Sequence, residues 1–119
     1  MQESGEMYLE TIYILRRKRT DVRAIDVGEY MGYSKPSVSR ALSILKSGGY
    51  VVVDGHGYLS LTESGQEIGE KIYARHNILE KFLIYIGVEK DVAKKDACKM
   101  EHVISDDTYE ALEKYMHQK

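Results

Sequence analysis

The sequence predicts a mainly helical protein with one small β-hairpin, and three observations carry that reading. Apolar residues recur at helical spacing through most of the chain, as in Tyr8, Ile12 and Leu15 or Leu79, Phe82, Leu83 and Ile86. The single proline, Pro36, stands two residues after a serine, where a helix begins. The β-branched and aromatic run at 50–53 is followed by Asp54-Gly55-His56-Gly57 and then by the alternating segment Tyr58-Leu59-Ser60-Leu61.

Taken in order, residues 6–19 read as a helix with Ser4 as its N-cap and Arg16, Arg17, Lys18 and Arg19 at its C-terminal end, where cations complement the helix dipole. Residues 24–31 form a short second helix, broken by Gly32-Tyr33. Ser34 caps a third helix that runs to about Lys46 with Val38, Leu42 and Leu45 on one face, and Gly48-Gly49 stops it. The strands at 50–53 and 58–61 flank a turn whose glycines supply positive φ. Thr62 caps a long helix reaching Ile86, with an apolar stripe of Ile68, Ile72, Leu79, Phe82, Leu83 and Ile86, and Gly87 ends it. Two more helices are expected, over 91–103 and over 106–116, the latter capped by Ser105 or Asp106. Two helices joined by a glycine-containing turn and followed directly by a hairpin have the layout of a winged helix-turn-helix, with the boundary to the remaining helices near Leu61 and Thr62.

Composition narrows the function. The chain of 119 residues suits one domain or two very small ones. Its single cysteine, Cys98, excludes an intrachain disulfide and fits a reducing cytoplasm. Neither a membrane-spanning apolar run nor a secretory leader is visible. Formal net charge is only −2, but its distribution is uneven. No carboxylate occurs between Tyr30 and Val53, while Lys35, Arg40 and Lys46 do. A locally basic helix-turn-helix on a mildly acidic body fits a reader of double-stranded DNA. In such a motif the start of the second helix faces base edges. Ser34, Ser37 and Ser39 suit phosphate oxygens, as do Arg23, Lys35 and Lys46; Arg40 is long enough for a guanine edge, and Pro36 offers apolar contact to a thymine methyl. Serines at a helix start also serve simply as caps.

A second constellation carries donor atoms. Cys98, Glu101 and His102 stand at i, i+3 and i+4, which puts them on one helix face, bordering the stripe of Ala93, Ala97, Met100 and Ile104. His76 and Glu80 form an i, i+4 pair on the long helix, and Met7 and Glu10 an i, i+3 pair on the first. Thiolate, carboxylate and imidazole together suit iron(II), cobalt, nickel or zinc, whereas manganese(II) prefers oxygen donors. Neither a His-Glu-x-x-His signature nor a nucleophile elbow nor a glycine-rich phosphate loop is present, so no catalytic residue is expected and the chain is not read as an enzyme.

These stretches resemble the iron-dependent repressor family, which includes the diphtheria toxin repressor and the manganese transport regulators. The matching residues are Met7-Tyr8-Leu9-Glu10-Thr11-Ile12-Tyr13, Ser34 through Leu42, Leu61-Thr62-Glu63-Ser64-Gly65, Arg75 through Leu83, and Asp96 through Asp106, in the family's order across nearly the whole chain. The resemblance implies a DNA-binding domain at 1–61 and a helical metal-binding and dimerisation domain at 62–119. It implies that Met7, Cys98, Glu101 and His102 match the primary site of the iron-responsive branch, and that His76 and Glu80 match its ancillary site. The manganese branch is similar at Glu10, His76, Glu101 and His102 but has carboxylates where Met7 and Cys98 stand. The ancillary site usually includes a histidine where this chain has Lys94, and a protonated lysine does not ligate. The resemblance implies a short form of the family, one lacking the SH3-like C-terminal domain that many members carry.

The implied function is metal-dependent repression of metal-homeostasis genes. A homodimer would bind operator DNA with iron(II) as the expected cofactor and manganese(II) as the alternative; cobalt, nickel and zinc would serve as substitutes in vitro. Neither a membrane nor a small organic substrate is an expected partner. The competing reading is a metal-independent winged-helix regulator or a protein-interaction adaptor, in which the donors are ordinary polar residues.

Overall fold

The computed structural model describes residues 1–119 as six helices and one two-stranded hairpin, in the order α1 (Glu3–Arg16), α2 (Ala24–Met31), α3 (Lys35–Ser47), β1 (Val51–Val53), β2 (Leu59–Leu61), α4 (Glu63–Tyr85), α5 (Lys90–Met100) and α6 (Asp106–His117). Two compact units emerge, Met1–Lys71 and Ile72–Lys119. The division falls inside α4 rather than at its start, where the sequence suggested it. The cause is close packing within the first unit. A Cβ on Gly65 would stand 2.1 Å from the Tyr50 carbonyl oxygen, and one on Gly69 2.8 Å from that of Leu9, so the opening turns of α4 lie against the hairpin and α1.

The first unit is built around ten buried residues: Tyr8, Leu9 and Ile12 of α1, Val22, Val27 of α2, Val38, Leu42 and Leu45 of α3, Val51 and Leu59. The period of three to four along α3 makes one face apolar and leaves the rest for solvent. β1 and β2 pair antiparallel with Val51 opposite Leu61, Val52 opposite Ser60 and Val53 opposite Leu59. The Leu59 N–H donates to the Val22 carbonyl at 2.7 Å, which ties the hairpin to the segment before α2.

Several local expectations shift. α1 starts at Glu3, and its N-cap is Gln2 without a side-chain bond, so Ser4 lies inside the helix instead of capping it. It also stops at Arg16, because the basic residues there are engaged elsewhere: the Arg16 guanidinium donates to the carbonyls of Thr20 (3.1 Å) and Leu59 (3.0 Å), and Arg19 pairs with Asp26 at 2.6 Å. In the hairpin turn only Gly57 has positive φ (82°); Gly55 does not, because the Asp54 carboxylate shapes the turn by accepting the N–H groups of His56 (2.8 Å) and Tyr58 (2.9 Å).

The second unit has a smaller core: Leu79 and Leu83 of α4 against Ala93 and Ala97 of α5, with Phe82, Val88, Met100, Ile104 and Leu112 packed around them. Gly87, at φ 105°, closes α4; its N–H reaches the Ile84 carbonyl (3.0 Å) and that of Val88 reaches Leu83 (2.9 Å). Ile86 is 57% exposed and therefore lies outside the buried stripe expected for α4. Thr62 and Ser105 cap α4 and α6, accepting from the N–H of Gly65 (3.1 Å) and of Thr108 (3.1 Å). α6 buries no residue completely.

Candidate metal centre and nucleic-acid interface

In the second unit, α4 and the end of α5 bring three different donors together. His76 Nδ1 lies 3.1 Å from Glu101 Oε2 and 3.7 Å from Cys98 Sγ. All three donor atoms lie within 4.8 Å of one another. Bonds of about 2.0–2.3 Å from one ion place neighbouring ligand atoms about 3–4 Å apart, so the set has the dimensions of a coordination shell. Its chemistry fits too: one imidazole, one thiol and one carboxylate suit a borderline divalent cation.

Glu101 is the centre of the arrangement. It is 1% exposed, and a buried carboxylate is costly unless partnered. Its Oε1 faces His102 Nε2 at 3.4 Å, while its Oε2 faces His76. The Cys98 thiol and the Glu101 carboxylate, both accepting from the ring, push the His76 pKa up to about 10 against the smaller opposing effect of burial. His76 is thus an imidazolium at neutral pH when no metal is held, and its proton supplies the positive charge that the buried Glu101 carboxylate requires.

Among the expected donors of this unit, Glu80 stands apart from the three. Glu80 meets the other ring nitrogen, Oε1 to Nε2 at 3.3 Å, on the far side from Cys98 and Glu101. A carboxylate there orients an imidazole for its metal rather than ligating through the same nitrogen. Met7 and Glu10 stand on α1, in the first unit. Lys94 is exposed on α5. The single helix face expected for Cys98, Glu101 and His102 needs correcting: α5 ends at Met100, Glu101 is its C-cap in αR geometry, and His102 lies in the turn beyond.

That early ending exposes a residue the sequence reading passed over. Arg75, 5% exposed, sends Nη1 to the carbonyl oxygens of Glu101 (3.2 Å) and Ile104 (2.8 Å), and Nη2 to the Asp106 carboxylate. A continued α5 would present the Glu101 carbonyl to the N–H four residues on; the guanidinium takes it instead. The available signal was an arginine in register with the apolar positions Ile72 and Leu79 of α4.

In the first unit, α3 presents Lys35, Pro36, Ser37, Ser39, Arg40 and Lys46 to solvent while Val38, Leu42 and Leu45 are buried. Ser43, exposed one turn after Ser39, belongs to the same face beyond the helix start. Ser34 acts as the cap: its hydroxyl accepts the Ser37 N–H at 3.4 Å and donates to the Ser37 hydroxyl at 2.9 Å. These two serines are therefore engaged with each other as well as exposed. Gly32, at φ 74°, makes the tight turn between α2 and α3. Arg23 lies at the head of α2, its guanidinium 4.8 Å from the Tyr58 ring of the hairpin and its backbone N–H on Asp26 at 2.8 Å. The result is an exposed face with cations and hydroxyls and no carboxylate on α3.

Comparison with known proteins completes the picture. Residues 1–59 match the family described as "Iron dependent repressor, N-terminal DNA binding domain", and residues 62–118 match "Iron dependent repressor, metal binding and dimerisation domain". The transcriptional regulator MntR of Escherichia coli is 32% identical over 105 residues, covering 88% of this chain and 68% of that protein. The iron-dependent repressor IdeR of Mycobacterium tuberculosis is 31% identical over 115 residues, covering 96% of this chain and 50% of that protein. The solved structure of the manganese regulator SloR superposes with a TM-score of 0.85 at 29% identity, covering all of this chain and 56% of that one. The chain thus spans about half the length of the last two.

Proposed function

The chain belongs to the iron-dependent repressor family, and on that premise we propose that it is a metal-dependent repressor that binds operator DNA through α3 and senses a divalent cation through its second unit. The observation that supports this best is the grouping of His76, Cys98 and Glu101 about a buried carboxylate. His76, Cys98 and Glu101 would hold the ion, with His102 on the second oxygen of Glu101 and Glu80 orienting His76. Met7 and Glu10 are proposed as further donors on the family resemblance alone.

A bound divalent cation would supply the positive charge that lets a thiolate and carboxylates face a single centre. Without it, His76 holds a proton at Nδ1 and serves that role in part. Loading therefore requires His76 to release its proton, and affinity rises with pH. If the loaded protein binds operator more tightly, then operator must tighten metal binding by the same factor. The thiolate favours iron(II) as the resident ion. Manganese(II) is the second reading, supported by the likeness to the manganese regulator SloR. A homodimer through the second unit would set two α3 helices against half-sites about 34–36 Å apart. Its exposed apolar residues Ile84, Tyr85, Ile86 and Tyr115 support that assembly.

The test uses a duplex enriched by the protein from a random pool in the presence of cobalt(II). Binding is then titrated with anaerobic iron(II), with manganese(II) and with a chelator, for the wild type and for Cys98→Ala and Glu101→Gln. Metal-dependent binding lost in Glu101→Gln is the expected result. Binding indifferent to chelator and to both substitutions would establish the metal-independent regulator instead.

A further inference from the structure

We propose that Arg75 is a positioning residue for the metal centre: it grips the main chain of Glu101 while its neighbour His76 grips the side chain, and so fixes the donor before any ion arrives. The proposal rests on the reading of His76, Cys98 and Glu101 as a metal site.

Glu101 and His102 are awkwardly placed for precise coordination. Both come after the last residue of α5, in a turn leading to Ser105, the cap of α6. Donors on such a segment are held less exactly than donors inside a helix, and a coordination shell tolerates little displacement. Something must hold the turn. The Arg75 guanidinium meets it at three points: the Glu101 carbonyl at 3.2 Å, the Ile104 carbonyl at 2.8 Å and the Asp106 carboxylate at the first turn of α6. The Tyr109 ring lies 5.6 Å from the guanidinium carbon and closes the other side.

The position of the clamp in the sequence matters. Arg75 and His76 are consecutive on α4, so one rigid helix carries both contacts to Glu101. Any slip of the turn relative to α4 would break the Arg75 bonds and move the Glu101 carboxylate from His76 together. A planar fork with several donors can satisfy two carbonyls and a carboxylate at once; an ammonium on a flexible stem cannot hold the same three directions. The charge also suits the place, since the free carbonyls at the end of α5 are the negative pole of that helix. Burial to 5% exposure fixes the guanidinium and makes its removal felt at the donors.

The test is cobalt(II) binding to the full chain, followed by the thiolate-to-cobalt charge-transfer absorption, with unfolding of the metal-free protein recorded in parallel. Arg75→Met is expected to weaken cobalt(II) binding by about 10–100-fold and to change the absorption per bound ion, the range typical when a residue that orients a ligand is removed. Arg75→Lys should restore part of the affinity. A role confined to stability would lower the unfolding temperature and leave affinity and spectrum unchanged at temperatures where the variant is folded; that result overturns the proposal. Should Arg75→Met not fold, Asp106→Asn carries the test, with a loss of about tenfold expected and unchanged binding overturning it. Glu101→Gln and Cys98→Ala separate the two readings. If both lose cobalt(II) while Arg75→Met binds it normally, only the clamp falls. If both bind cobalt(II) as the wild type does, the metal site falls and the clamp with it.

Discussion

The two units differ in the charge they bury. The first buries ten residues in one core, almost all aliphatic, and presents hydroxyls and cations along α3. The second buries a carboxylate and a guanidinium, Glu101 and Arg75, around a core of four aliphatic residues, and leaves Ile84, Tyr85, Ile86, Val92, Val103 and Tyr115 exposed. Buried charge and exposed apolar surface both cost free energy in an isolated chain. Exposed apolar residues occur in the first unit too, Ile25, Tyr30, Ile44 and Val52 among them, so the contrast lies in the buried charge. Under the proposed function, the buried charge of the second unit is completed by a cation on its donors. Under that proposal the difference suits a sensor attached to a reader, because the part that responds must be incomplete until its ligand arrives.

The sharpest way to break this contrast is to delete the same kind of side chain on both sides. Leu9→Ala, in the first core at 0% exposure, should destabilise the metal-free protein by about 2–5 kcal/mol in urea unfolding. Ile86→Ser, at 57% exposure, should change monomer stability by less than about 0.5 kcal/mol and instead reduce self-association in sedimentation. Equal losses of stability from the two would mean that the second unit is finished by itself.

A smaller effect comes from protons. His76 is raised to about 10, so its contribution to folding of the metal-free protein is fully present below about pH 6.5 and is lost as pH rises through about 10. Cobalt(II) binding must expel that proton, so its affinity should rise about tenfold per pH unit between pH 6.5 and 8 from His76 alone. Isothermal titration in buffers of different ionisation enthalpy counts the protons released. Release of none at pH 7 would remove His76 from the site.

The smallest effects belong to the reading face. Ser34→Ala should cost about 1 kcal/mol of stability through the lost cap. Lys46→Ala should leave stability unaffected and reduce the salt dependence of DNA binding by about one counterion. A Lys46 variant with the wild-type salt slope would take that residue off the interface.

Much of the first unit could be read along the chain. The bounds of α2, the Ser34 cap and the burial of Val38, Leu42 and Leu45 follow from neighbours within four residues, and the hairpin from partners no more than ten apart. The reading failed where a distant partner competes with a local rule. Ser4 offers a cap that α1 does not use, because the helix continues past it to Glu3. Cys98, Glu101 and His102 have helical spacing, but the helix is cut at Met100 by a guanidinium from α4. Glu80 pairs with His76 as spaced, yet the ring presents its other nitrogen to Cys98 and Glu101.

By itself, then, the sequence determined the class of fold, the placement of α3 after a glycine turn and its buried face, since periodicity, capping and turn chemistry act over a few residues and leave their mark in spacing. Tertiary structure alone decided that His76 meets a cysteine 22 residues away and a carboxylate 25 away, and that Arg75 is buried to hold the turn between them. Those pairings depend on how helices pack, and packing is set by the summed burial of many side chains rather than by any local pattern.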